Sequence, residues 1–167
     1  IEYTDRLLAL DHHIDDSLRR GSRSAKNPYS RRLKVIDELE RLSDYFSAFD
    51  SIYKLPRSVR GRGRKIANLT ARLITCAWNK RKITELKHKD VNAEVYALYD
   101  TRNNYEHGNV GSILAEGINP EKFKERVRLL GYYVHQVALL YIMNDKLEQH
   151  ISSIESGHCG RLASIYG

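Results

Sequence analysis

Features of membrane, metal-binding and disulfide-rich proteins are scarce in this sequence. The chain contains two cysteines among 167 residues, Cys76 and Cys159, which form neither a metal-ligand spacing nor a disulfide framework. No apolar run approaches the roughly 20 residues that a membrane span requires, and the N-terminus lacks a signal-peptide pattern. We therefore expect a protein of the reducing cytoplasm, without membrane contact, metal ion or cofactor.

Strand signals are nearly absent as well. Alternation of apolar and polar residues is rare, only three prolines interrupt the chain, and apolar residues recur at helical spacing almost throughout. We predict an all-α bundle of about five helices and one domain over residues 1–151, followed by a tail or linker over residues 152–167. The predicted helices cover residues 2–19, 31–53, 65–81, 92 to about 107, and 120–151.

Helical phasing also predicts the core. Apolar residues repeat every three or four positions within each predicted helix, with charged residues between them. Asn119 is expected to cap the last helix, with Pro120 at its first position. The positions expected to face inward include Val35, Leu39, Leu42, Phe46, Phe49, Ile66, Leu69, Leu73, Ala77, Phe123, Val127, Leu130, Val134, Val137 and Tyr141.

Positive charge exceeds negative charge in this chain. Lys and Arg number 28 against 21 Asp and Glu, a formal net charge of +7, and such an excess attracts polyanions over long range. Two basic segments, residues 19–26 and 57–65, contain turn-forming residues and are predicted to be loops. Either could contact an RNA backbone or simply be solvated. In the second loop, the RNA-binding candidates are Arg57, Arg60, Arg62, Arg64 and Lys65.

The octapeptide TRNNYEHG, residues 101–108, concentrates polar groups that no core needs. Arg102 shares the inward stripe of its helix with apolar residues, so its charge requires a partner. Asp11, on the inward stripe of the first helix, is the candidate. His107 would lie about 140° from Arg102 around an unbroken helix. The two side chains could share a target if the chain left the helix within the motif, or if a symmetric dimer joined two copies.

The chemistry of this motif suits RNA cleavage without a metal ion. Arg102 can grip two phosphate oxygens, His107 can move a proton near neutral pH, and Asn103 can position either group or the substrate. The histidine would deprotonate the ribose 2′-hydroxyl or protonate the leaving oxygen, while the arginine offsets charge on the phosphorane. Tyr105 is a candidate for stacking on a base, and Glu106 for tuning the histidine.

Structural roles are the alternative for the same residues. Arg102 would then belong to an ion pair, and His107 would cap a helix C-terminus, where the dipole favours a cation. Tyr105 would be packed and Glu106 solvated.

The motif resembles that of the HEPN superfamily, in which an arginine, usually followed by a polar residue, precedes a histidine on a helix. Here these are Arg102, Asn103 and His107. The following Gly108, the apolar stretch EVYALYD before the arginine, and an acidic residue in the apolar first helix make the chain look most like the ApeA-like branch. The resemblance covers roughly residues 1–151.

The resemblance implies a HEPN-like helical bundle that dimerises and acts as a metal-independent endoribonuclease, with RNA cleaved by 2′-hydroxyl attack at a site composed of both chains. Arg102 and His107 would be catalytic, Asn103 and the weaker match Asp11 supporting. Toxin–antitoxin or antiviral defence is the context implied, with a cognate antitoxin or further domains as additional partners. Two alternatives stay open: a non-catalytic module that binds nucleic acid, a nucleotide or a partner domain, and a regulatory dimerisation domain of a larger defence protein.

Overall fold

Five helices make up most of the part of the chain that the computed structural model describes, which is residues 28–56, 58–81, 87–115 and 117–143. They are α1 (Pro28–Tyr53), α2 (Arg62–Arg81), α3 (His88–Glu106), α4 (Val110–Ala115) and α5 (Pro120–Met143). These ranges contain no strand, so the predicted all-α bundle is confirmed. The predicted first helix, 2–19, the basic segment 19–26 and the tail, 152–167, lie outside the described residues.

The core lies where helical phasing predicted it. Its aromatic centre is formed by Phe46, Phe49 and Tyr53 of α1, with the rings of Phe49 and Tyr53 stacked 5.6 Å apart. The Tyr53 hydroxyl is satisfied by the Thr70 hydroxyl of α2 at 2.8 Å, as buried polar groups require. Predicted core positions that are fully or nearly fully buried are Val35, Leu39, Leu42, Phe46, Phe49, Ile66, Leu69, Leu73, Phe123, Val127, Leu130, Val134 and Val137.

Helices α2 and α3 pack closely where Gly63 meets Tyr99, just before the octapeptide. A Cβ atom at Gly63 of α2 would overlap the ring of Tyr99 on α3, so the close approach depends on glycine at this position. The Tyr99 ring also meets Phe46 of α1 edge-on, with centroids 5.2 Å apart. Tyr99 therefore joins three helices one turn before Arg102.

Helix α2 begins earlier than predicted, which corrects the assignment of residues 57–65 to a loop. Arg62, Gly63, Arg64 and Lys65 form its first turn. Basic residues are unfavourable at a helix N-terminus, but Arg62 is fixed by contacts to the preceding segment. Its Nε lies 2.6 Å from Asp50 Oδ1, and its Nη2 donates to the Leu55 carbonyl at 3.0 Å. The contacts of Arg62 with Asp50 and Leu55 thus outweigh the unfavourable effect of basic residues at the helix N-terminus.

The segment between the motif and the last helix is also more ordered than predicted. The sequence indicated a loop over residues 108–119, whereas Val110–Ala115 forms the short helix α4. Burial of Ile113, which is 3% exposed, anchors this helix to the core. The predicted cap of α5 is confirmed, because Asn119 Oδ1 accepts hydrogen bonds from the amides of Glu121 and Lys122 at 3.1 and 3.2 Å. Helix α3 begins at His88 rather than near residue 92.

The expectation for cysteine needs a correction. Cys76 is disulfide-bonded, whereas the sequence led us to expect no disulfide from two cysteines. Among the described helices, none combines the length and apolar character needed to cross a membrane.

Candidate functional site

Arg102 lies in the last turns of α3, and its side chain is mostly covered. Its side chain is 15% exposed, and its Nε is 2.7 Å from Oε1 of Glu106, one turn later. The guanidinium carbon stands 5.8 Å from the centre of the Tyr99 ring, a distance at which a cation is attracted to an aromatic face. Nη1 makes a long contact, 3.4 Å, to Oδ1 of Asn103. The inward position predicted for Arg102 is thus what the structure shows.

The contact between Arg102 and Glu106 is an ion pair rather than an aligned hydrogen bond. Although Nε and Oε1 are close, the buried Nε–H does not have hydrogen-bond geometry toward any acceptor in the described part of the chain. The same Oε1 accepts a hydrogen bond from the Ser43 hydroxyl of α1 at 3.2 Å. Glu106 is therefore shared between two partners, and one donor of Arg102 is left unsatisfied.

Helix α3 ends in a Schellman motif directly after Glu106. The amide of Gly108 donates to the carbonyl of Tyr105 at 3.0 Å, and the amide of Asn109 to that of Asn104 at 2.9 Å, the two bonds that define this motif. Gly108 has φ of +79°, a left-handed value that favours glycine. The chain therefore leaves the helix at Gly108 and not before His107.

His107 stays in helical phase, because its amide still donates to the Asn103 carbonyl at 3.0 Å. Its side chain is exposed, as are those of Asp100 and Asn104, which share its face of α3. Arg102 lies on a different side of the helix. The chain leaves the helix only after His107, so the helical backbone between Arg102 and His107 does not bring the two side chains together.

The remaining predicted site residues are Tyr105, Glu106 and Asp11. Tyr105 packs against the core, and burial, followed by the nearby charge of Glu40, raises the pKa of its hydroxyl. Glu106 meets Arg102 and Ser43, as described above. Asp11, the predicted partner of Arg102, lies outside the described residues. Sequence reasoning missed Ser43, for which the helical pattern of α1 gives no signal beyond a polar residue.

In the basic segment, Arg57 lies outside the described part. Arg62 is engaged in the contacts to Asp50 and Leu55. Arg60, Arg64 and Lys65 are exposed. Arg64 stands 5.8 Å over the ring of Tyr96, an exposed residue on α3 that sequence reasoning did not select.

No cluster of three or more His, Cys, Asp or Glu side chains in the described ranges has the arrangement of a metal site. Comparison with known proteins adds no family assignment, since no protein-family model, curated protein or solved structure matches the chain.

Proposed function

We propose that this protein is a metal-independent endoribonuclease of the HEPN type whose site is completed by a second copy of the chain. The observation that carries the proposal is the position of the two motif residues. The Arg102 side chain is mostly covered, whereas His107 is exposed on another face of the same helix. The side chains of Arg102 and His107 do not meet within a single chain. A two-fold axis beside the end of α3 would bring the arginine of one copy to the histidine of the other.

At such a site the two residues divide the chemistry. His107, which is accessible, exchanges a proton with the ribose 2′-hydroxyl or the leaving 5′-oxygen. Arg102 offsets charge on the phosphorane through the guanidinium donors that Glu106 leaves unused. Asn103, whose amide oxygen already contacts Arg102, positions the guanidinium. The expected product is a 2′,3′-cyclic phosphate, because the attacking nucleophile is the neighbouring 2′-oxygen.

The exposed cations of the α2 N-terminus supply the RNA contact in this proposal. Arg60 and Arg64 are exposed, and Arg64 lies over the ring of Tyr96 on α3, the helix that carries the motif. An exposed arginine beside an exposed ring offers both phosphate binding and base stacking. A strand bound there would run along α3 toward its C-terminal end.

The test is incubation of the full chain with total RNA in the presence of EDTA, followed by analysis of the new ends. Wild type should produce 2′,3′-cyclic phosphate ends, and His107→Ala should produce none. His135→Ala is the matched control, because His135 is also an exposed helical histidine but lies on α5. Equal cleavage by wild type and His107→Ala would refute the proposal.

A second candidate is a non-catalytic module that binds nucleic acid at the same surface. The observation that favours it is the ion pair of Arg102 with Glu106, which resembles a structural role. If this candidate is correct, RNA binding should depend on Arg64, and neither wild type nor any variant should yield cleavage products.

A further inference from the structure

A second group of polar residues lies at the opposite end of α3 from the octapeptide. Asn68 and Arg72 are one turn apart on α2, and both are partly covered. His88, the first residue of α3, places its Nε2 3.1 Å from Oδ1 of Asn68. Along the axis of α3, His88 is about 28 Å from His107 at 1.5 Å per residue. The group is therefore separate from the candidate ribonuclease site.

Arg72 lacks a counter-ion in this group. Its Nε is fully buried and makes no hydrogen bond to the described part of the chain. No described carboxylate forms an ion pair with it either, in contrast to Arg41, Arg62, Arg102 and Arg126. A buried guanidinium donor without an acceptor costs free energy. Because Arg72 is only partly covered, an anion bound to the uncovered part of the side chain would supply the missing countercharge.

The surroundings of His88 add to the positive potential. Burial, followed by the charge of Arg72, lowers the pKa of His88, and a hydrogen bond to the backbone of Asn68 opposes the shift. The neighbouring residues Lys87 and Lys89 are exposed cations, with Asp90 the acidic residue of the same turn. Lys87 occupies the N-cap position of α3 without a side-chain hydrogen bond to the helix. The first amides of α3 are therefore not satisfied by a capping side chain.

We propose that Arg72 and His88 bind a phosphate group. The guanidinium of Arg72 would hold two phosphate oxygens. Since Nε2 of His88 is taken by Asn68, the remaining Nδ1 would face the phosphate. A bound phosphate anion would favour a proton on Nδ1, so phosphate binding and protonation of His88 would strengthen each other.

The phosphate could belong to an RNA strand or to a free anion, and both present the same oxygens to Arg72. The two sources are separated by the probes: inorganic phosphate, and a short RNA without terminal phosphate. A response to the RNA alone or to both assigns a backbone phosphate, and a response to inorganic phosphate alone assigns a free anion. All three support a phosphate site.

The measurement is the imidazole NMR signal of His88 in the full chain, titrated with pH in phosphate, in the RNA, and in chloride at equal ionic strength. We expect the pKa of His88 to rise in at least one of the two phosphate sources relative to chloride. Arg72→Gln should abolish the difference, whereas Arg128→Gln, an exposed arginine of α5, should preserve it. A His88 titration that is the same in phosphate, RNA and chloride overturns the proposal.

Asn68→Asp provides a second variant in case Arg72→Gln does not fold. The new carboxylate would stand one turn from Arg72 and beside His88, and would take the place of the phosphate. We expect a higher melting temperature and no response to either phosphate source. A phosphate response undiminished in Asn68→Asp would contradict the assignment. The inference does not rest on ribonuclease activity, because the readout is binding and its residues are not those of the octapeptide.

Discussion

Glu106 holds the guanidinium of Arg102 from one helical turn away while also accepting a hydrogen bond from Ser43 of α1. The two distances are 2.7 Å from Arg102 Nε and 3.2 Å from Ser43 Oγ, both to the same carboxylate oxygen. One carboxylate thus fixes the arginine and joins the end of α3 to α1. At the proposed ribonuclease site it would also compete with an RNA phosphate for the guanidinium.

This competition gives the first prediction. Glu106→Gln should tighten RNA binding severalfold, because the guanidinium is released from its carboxylate, as measured by titration of labelled RNA. The free energy of unfolding should fall by about 1 kcal/mol or less, since Glu106 is 39% exposed and solvent screens the pair. Weaker RNA binding by a folded Glu106→Gln variant would contradict the competition.

The Schellman motif gives the second prediction. Gly108→Ala should lower the free energy of unfolding by about 1–2 kcal/mol, because its backbone is left-handed and alanine disfavours that conformation. No atom would obstruct the new Cβ, at Gly108 or at Gly111. Gly111→Ala is therefore a matched control, for which we expect no loss, since its φ is not positive and alanine favours helix. Equal losses in urea denaturation would contradict the backbone explanation.

Two arginines of the same basic segment should behave differently. Arg62→Ala should destabilise the fold, because its guanidinium bonds Asp50 and the Leu55 carbonyl. Arg64→Ala should leave the melting temperature nearly unchanged and weaken RNA binding, with a salt dependence reduced by about 0.7 in log–log slope if one single-strand phosphate contact is lost. Arg128→Ala, on α5, is the control for charge alone. An Arg64→Ala variant that binds RNA as tightly as Arg128→Ala would exclude Arg64 from the interface.

The features that the sequence predicted correctly are those that depend on residues close together in the chain. The buried positions of α1 and the Asn119 cap follow from spacing and capping chemistry within one segment, and both were predicted. The start of α2 at Arg62 was not, because it depends on contacts with Asp50 and Leu55. The link between Arg102, Glu106 and Ser43 was not predicted either. The i, i+4 spacing of Arg102 and Glu106 is visible in the sequence, but the hydrogen bond to the same carboxylate from Ser43, 63 positions away, is not.

Burial of Glu38 gives a prediction about pH. Glu38 is nearly buried at the α1–α5 contact and pairs with Arg41 at 3.1 Å. Desolvation nevertheless raises the pKa of Glu38 above 4.5, with Arg41 opposing. A raised carboxyl pKa means that the folded state binds more protons than the unfolded state, so this group lowers stability as pH rises through that range.

Glu38→Gln should therefore raise the melting temperature at pH 7. The gain should shrink as the pH falls and disappear below the ordinary carboxyl pKa, where wild-type Glu38 is protonated in both states. Melting curves of both proteins across this pH range provide the measurement. A variant less stable than wild type at pH 7 would show that the pair with Arg41 outweighs desolvation.

The most direct test of the composite site is complementation between two inactive variants. Arg102→Gln and His107→Ala should each lack RNA cleavage in EDTA when purified alone. Co-expressed, they should form mixed dimers in which one of the two sites has both an intact arginine and an intact histidine, restoring about a quarter of wild-type activity for random pairing in a two-fold dimer. A co-expressed mixture as inactive as its parents, despite confirmed mixed dimers, would contradict a site shared between two chains.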